Sequence, residues 1–137
     1  MSQSAIYDLF ADRVADFAAQ LSPVLPVAYP GVPFTPPASG RWLEVRWFPN
    51  ETQTYAMQDT SPAVVLSGIG QVTVCERPGA GIVDGQEIAG EVVDYFAKGT
   101  FFGVARVERQ PWVSSVLQEP DRTMYPVTIR WRGVNQQ

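Results

Sequence analysis

The stretch PVLPVAYPGVPFTPPASG, from Pro23 to Gly40, constrains this chain more than any other. Prolines at 23, 26, 30, 33, 36 and 37 each fix φ and remove a backbone donor, so neither a helix nor a central strand can run through the segment. It reads as an extended arm, about residues 23–40, with a short edge strand near Val27 to Tyr29. Val32 and Phe34 would be poorly hidden on a lone subunit. The alternative is a loop packed on its own domain. Regular elements must therefore form on either side of the arm.

Before it, Ala5 to Leu21 places Ile6, Leu9, Phe10, Val14, Phe17 and Leu21 at helical spacing, with Asp8, Asp12 and Asp16 elsewhere around the wheel. Ser4 is the expected cap, the aspartates suit the positive end of the helix dipole, and Ser22-Pro23 stops the helix. After the arm, Arg41 to Phe48 alternates. Trp42, Glu44, Arg46 and Phe48 share one side, while Leu43, Val45 and Trp47 form an apolar face on the other. Pro49-Asn50 makes a turn, Thr52 to Met57 and Ala63 to Leu66 read as further strand pieces, and Gly70 to Arg77 alternates again through Val72 and Val74.

Asp84 followed by Glu87 has the spacing of a capping box, and Ile88, Val92, Tyr95 and Phe96 fall on one face of a second helix, about residues 84–98, ended by Gly99. Gly90 in its interior costs about 1 kcal/mol relative to alanine, which suggests close approach to a strand. The remainder is strand-like: Thr100 to Arg109, Trp112 to Gln118 and Met124 to Gly133, divided at Gln110-Pro111 and at Glu119 to Arg122. The expected architecture is α+β. It has a mainly antiparallel or mixed sheet with two helices on one face, within one domain over residues 1–137.

Size supports this. A chain of 137 residues can bury roughly two thirds of its unfolded surface and needs no disulfide or structural metal for its core. The lone Cys75 permits no internal disulfide, and the opening MSQSAIYDLFADR lacks a basic region followed by an apolar stretch, so synthesis is expected in a cytoplasm. No apolar run approaches the roughly 18 residues that cross a bilayer, and no membrane partner is expected.

The chain has no histidine, which removes the Ser-His-Asp triad, the Cys-His pair and every histidine metal site. Cys75 reads as a small strand residue, since nothing is available to activate its thiol. Gly79, Gly81 and Gly85 miss the dinucleotide fingerprint by one residue, and no Gly-Lys-Ser/Thr closes a phosphate loop. No catalytic, metal or cofactor site is therefore assigned. A carboxylate-dependent enzyme would need two acids converging in a cleft, and no spacing demands it. Trp42, Trp47, Trp112 and Trp131 are expected to pack within the core or on the sheet.

Charge is unevenly spread. The helical segments hold seven acids against Arg13 and Lys98, a balance of -5, whereas the rest of the chain balances at +1. An acidic helical layer beside an arginine-bearing sheet would let one subunit dock head to tail on the next; ordinary solvated helix faces are the alternative. Nucleic-acid recognition, sequence-specific binding included, is disfavoured by the net charge of -4 and the single lysine, because phosphate binding usually needs a net basic surface, and a few arginines on a strand are not expected to make one.

Several segments together resemble a known family. They are the arm Tyr29-Pro30-Gly31-Val32-Pro33-Phe34-Thr35-Pro36-Pro37 leading into Trp42-Leu43-Glu44-Val45, the run Gly70-Gln71-Val72-Thr73-Val74 followed by Pro78-Gly79-Ala80-Gly81, and the ending Tyr125-Pro126-Val127-Thr128-Ile129. In element order and in these segments the chain is similar to the tail terminator proteins of long-tailed bacteriophages. The resemblance implies an α+β virion protein without enzymatic activity or cofactor, which forms a hexameric ring on the head-proximal end of the tail tube. There it would stop polymerisation and offer a surface to the head connector. The implied partners are other copies of itself, the tail tube protein and a head–tail connector or neck protein, with DNA passing through the ring lumen.

The expected contacts with neighbouring subunits or the tube are Tyr29, Val32 and Phe34 on the arm, Thr52, Gln53 and Tyr55 in the connection from Asn50 to Ser61, and Arg46, Arg130 and Arg132. The arginines would pair with acids such as Asp12, Glu87 or Glu91 of another copy. A different neck or tail-completion protein, or a monomeric adaptor, remains the alternative.

Overall fold

The computed structural model describes residues 2–50, 53–55 and 63–136. The first helix, α1 (Gln3–Gln20), is capped by Ser2, whose hydroxyl accepts from the Ala5 amide, so the cap lies two residues before the expected Ser4. Its first turn holds no acid, and the aspartates begin only at Asp8, beyond the reach of a first-turn dipole effect. Ile6, Phe10, Val14, Phe17 and Ala18 are buried, whereas Leu9 stays exposed. Leu9 sits one position off the stripe that meets the sheet.

The nine strands among the described residues form one open mixed sheet, with the path β1 (Val27–Ala28), β2 (Arg41–Pro49), β4 (Ala63–Glu76), β9 (Thr123–Gln136), β6 (Ala105–Val107) and β5 (Phe101–Phe102). The edge strand β1 (Val27–Ala28) runs parallel to β2 (Arg41–Pro49), and the other pairings are antiparallel. The pieces expected at Ala63 to Leu66 and Gly70 to Arg77 are a single strand, β4 (Ala63–Glu76), which pairs with β2, with β3 (Gln53–Tyr55) and with β9 (Thr123–Gln136). The apparent break is glycine: Gly68 and Gly70 sit inside β4 because the space above them is taken. A Cβ on Gly70 would lie 2.6 Å from Phe10 Cζ, so α1 can press onto the sheet only where that side chain is missing.

The second helix, α2 (Val83–Tyr95), starts after Ile82, and no side chain caps it. The expected Asp84–Glu87 capping box does not form; Asp84 instead lies 3.6 Å from Arg41. Nor does Gly90 meet a strand. A Cβ there would touch nothing within 4 Å, and the close approach falls at Gly85, which lies on the Tyr125 ring. Beyond α2 the chain makes the short strands β5 (Phe101–Phe102), β6 (Ala105–Val107), β7 (Trp112–Val113) and β8 (Leu117–Gln118), the last three docked on β9.

Both helices cover the same sheet face. The register places Leu43, Val45 and Trp47 on β2 in line with Val74, Val72 and Gly70 on β4, and these with Tyr125, Val127 and Ile129 on β9. These residues meet Phe10, Val14 and Phe17 of α1 and Ala89, Val92 and Phe96 of α2 in one hydrophobic cluster. Trp47 and Trp131 stack at 4.9 Å between ring centroids, beside Phe10. Arg13 on α1 ties the helices together: its guanidinium donates to the Tyr95 carbonyl at 2.9 Å, at the end of α2, and lies 4.4 Å from the Tyr95 ring centroid.

Candidate interaction surfaces

The helix-free face of the sheet is built by the opposite parity of the same strands. Trp42, Glu44, Arg46 and Phe48 of β2 share it with Thr73, Gln71, Ile69 and Ser67 of β4, and with Thr128, Arg130 and Arg132 of β9. Arg106 of β6 stands directly opposite Arg132. One end of this face is covered by the chain itself. Trp42 is fully buried beneath Arg77, whose guanidinium lies 5.0 Å from the ring centroid and donates to the Pro37 carbonyl at 2.8 Å. Beside them Arg122 donates to Glu44 at 2.6 Å.

The arm therefore divides. Pro36 and Pro37 are half-buried and held by Arg77, which agrees with the loop-packed alternative for that end. From Pro30 to Pro33 the chain is exposed, with Val32 at 58%. Phe34 is half-buried. Tyr29, just past β1, is also half-buried, and burial is the main cause of the rise in its phenol pKa.

Because β1 pairs with β2 only at Leu43 and Glu44, the outer edge of β2 from Val45 onward has no strand beside it among the described residues. A cleft of about 410 Å³ follows that edge, lined by Tyr29, Pro30, Arg46, Trp47 and Phe48. Tyr29 and Arg46 are thus brought together, with Phe48, 48% exposed, as a neighbour that the sequence reading placed on the same strand side but did not select. Gln53 and Tyr55 belong to β3, but their side chains lie outside the described residues, as does Thr52 entirely.

Arg130 and Arg132 flank a second cleft of about 260 Å³ with Asn50, Ser67 and Glu108. Both arginines are exposed, as are Arg46 and Arg106, and none of the four takes part in the ion pairs found among the described residues. Arg106 was not foreseen, because only the strand register reveals that it shares a face with Arg132. Asp12, Glu87 and Glu91 are exposed on the helices, across the sheet from these arginines. Trp112 lies on the sheet rather than in the core: in β7 it pairs with Thr128 of β9 and is 41% exposed, with the Arg109 guanidinium 5.7 Å from its ring.

The buried polar groups are structural. Glu76, 4% exposed, accepts from Tyr125 Oη at 2.5 Å and from Arg41 Nε at 2.8 Å beneath the start of α2. Burial, reinforced by the Glu76 hydrogen bond, drives the Tyr125 phenol far above its usual value. Burial likewise pushes the Cys75 thiol up to about 12, so it is no nucleophile at neutral pH. Among the described residues no group of acids and cysteine is arranged to hold a metal ion, and no helix is long and apolar enough to cross a membrane.

Comparison with known proteins agrees with this frame. A family profile described as phage tail terminator protein matches residues 5–131. The chain belongs to the phage tail terminator family, a structural component of the virion tail. A solved structure superposes with a TM-score of 0.77 at 27% sequence identity, over 98% of this chain and 96% of that chain. No curated protein matches significantly in sequence.

Proposed function

We propose that the protein, as one domain over residues 1–137, forms a ring of identical subunits, a hexamer, on the head-proximal end of the tail tube. The ring stops tube polymerisation and supplies the surface on which the head connector docks. Its partners are its own copies, the tube protein and a connector or neck protein; the role is structural, with no reaction catalysed. Family membership over residues 5–131 is the observation that carries the reading. The physical logic is that tube subunits stack by contacts that do not close along the axis, so length stays open until a differently shaped ring occupies the growing end.

The surface best suited to contact a neighbouring subunit or the tube is the β2 edge with its cleft. Tyr29, Val32 and Phe34 supply apolar area from the arm, Arg46 stands at the cleft, and Gln53 and Tyr55 lie on β3 of the same sheet. An open strand edge offers unpaired backbone donors and acceptors to a second chain, and apolar side chains beside it add area to such a contact.

The test is to mix the purified protein with preformed tail tubes, image the mixture and measure its mass by light scattering across salt. Rings, or density confined to one end of tubes of limited length, are the expected result. A protein that stays monomeric and ignores the tubes would overturn the reading.

A further inference from the structure

Four arginines stand on the helix-free face without an ion-pair partner among the described residues: Arg46 on β2, Arg130 and Arg132 on β9, and Arg106 on β6. In sequence they are scattered; the register gathers them. Arg130 and Arg132 are two residues apart on one strand, about 7 Å, and β2 to β6 spans three inter-strand steps of about 4.8 Å each. The patch is thus a band across the sheet. Ser67, Asn50 and Gln71 add hydroxyl and amide groups within it.

We propose that this face binds the phosphodiester backbone of duplex DNA, without reading its sequence. Guanidinium forks match phosphate oxygens two bonds at a time, and hydroxyl and amide groups are the usual supplementary phosphate contacts. The chain's net charge of -4 does not oppose this locally. Its helical acids belong to the helix layer, on the other side of the sheet from these arginines. Among the described residues, Glu108 is the one carboxylate bordering the Arg130–Arg132 cleft.

The competing occupant is the acidic helical layer of a second copy. That contact would join opposite, nearly parallel faces of one sandwich. Copies would then be related by near-translation, and such contacts extend into open stacks rather than closing. This choice between occupants rests on the ring reading, but DNA binding is measured on the free protein and can fail while ring formation succeeds.

The experiment is fluorescence anisotropy of the full chain with a labelled duplex of about 30 base pairs, between roughly 50 and 200 mM salt, where three to four neutralised phosphates predict a loss of about a hundredfold in affinity. Two unrelated duplex sequences should bind equally. R130E/R132E should weaken binding more than tenfold and flatten the salt dependence by about two contacts, R106E should weaken it independently, and D12N on the far side should not. No binding at the lowest salt, or binding indifferent to both arginine variants, overturns the proposal. So does low-salt self-association that R130E/R132E dissolves and DNA fails to compete away; the second copy would then be the occupant.

Discussion

Gly85, in the first turn of α2, lies against the ring of Tyr125 on β9, and a Cβ at that position would overlap the ring. Tyr125 is fully buried and held by Glu76, so it cannot swing away. Gly85→Ala should therefore destabilise the fold by about 1–3 kcal/mol through overpacking. Gly90, one and a half turns on, faces open space, and Gly90→Ala should stabilise it by about 0.5–1 kcal/mol through helix propensity. Urea unfolding of the two variants checks both signs; a stabilised Gly85→Ala would refute the close packing of α2 on β9.

Removing the Tyr125 hydroxyl tests the buried carboxylate. In Tyr125→Phe, Glu76 keeps Arg41 but loses a short hydrogen bond in a site with almost no access to water. The expected cost is about 1–3 kcal/mol, and the double variant with Glu76→Gln should cost less than the sum of the single changes. Strict additivity in a double-mutant cycle would show that the two side chains act independently.

Cys75 links stability to alkaline pH. Its thiol pKa rises from 9.0 to about 12 on folding, because burial disfavours the thiolate. The protonated thiol is thus favoured by the folded state: the contribution is intact below pH 9 and is lost as pH rises from about 9 towards 12, by at most about 1.4 kcal/mol per pH unit. Tyr125, shifted in the same direction, adds to the alkaline loss. Cys75→Ala should flatten the pH dependence above pH 9, and in the native protein a thiol reagent should label Cys75 only on unfolding. Rapid labelling at neutral pH without unfolding would contradict the burial.

The exposed part of the arm offers a separation of folding from assembly. Val32 is 58% exposed and packs into no core, so Val32→Asp should change thermal stability by less than about 0.5 kcal/mol. Deleting Val32 to Thr35 should likewise impair ring formation and tube capping more than folding. Variants that assemble and cap as the native protein does would remove the arm from the interface.

The sequence by itself determined the elements whose periodicity is long and whose boundaries are chemical. Phe10, Val14 and Phe17 had to share a helix face, Leu43, Val45 and Trp47 had to share a strand face, and the prolines had to hold the arm out of the sheet's interior. Local spacing is sufficient there, because helix and strand geometry fix which neighbours point the same way. Tertiary structure decided what depends on contacts between distant residues. Gly68 and Gly70 continue β4 because packing and pairing outweigh the weak strand preference of glycine; Gly85 rather than Gly90 carries the close contact because Tyr125 is forty residues away in the chain. The arginine face belongs to the same class. Arg46, Arg106, Arg130 and Arg132 share a surface only because the pairing of β2, β4, β9 and β6 puts them in phase, and a one-residue slip of any strand would send its arginines to the opposite side.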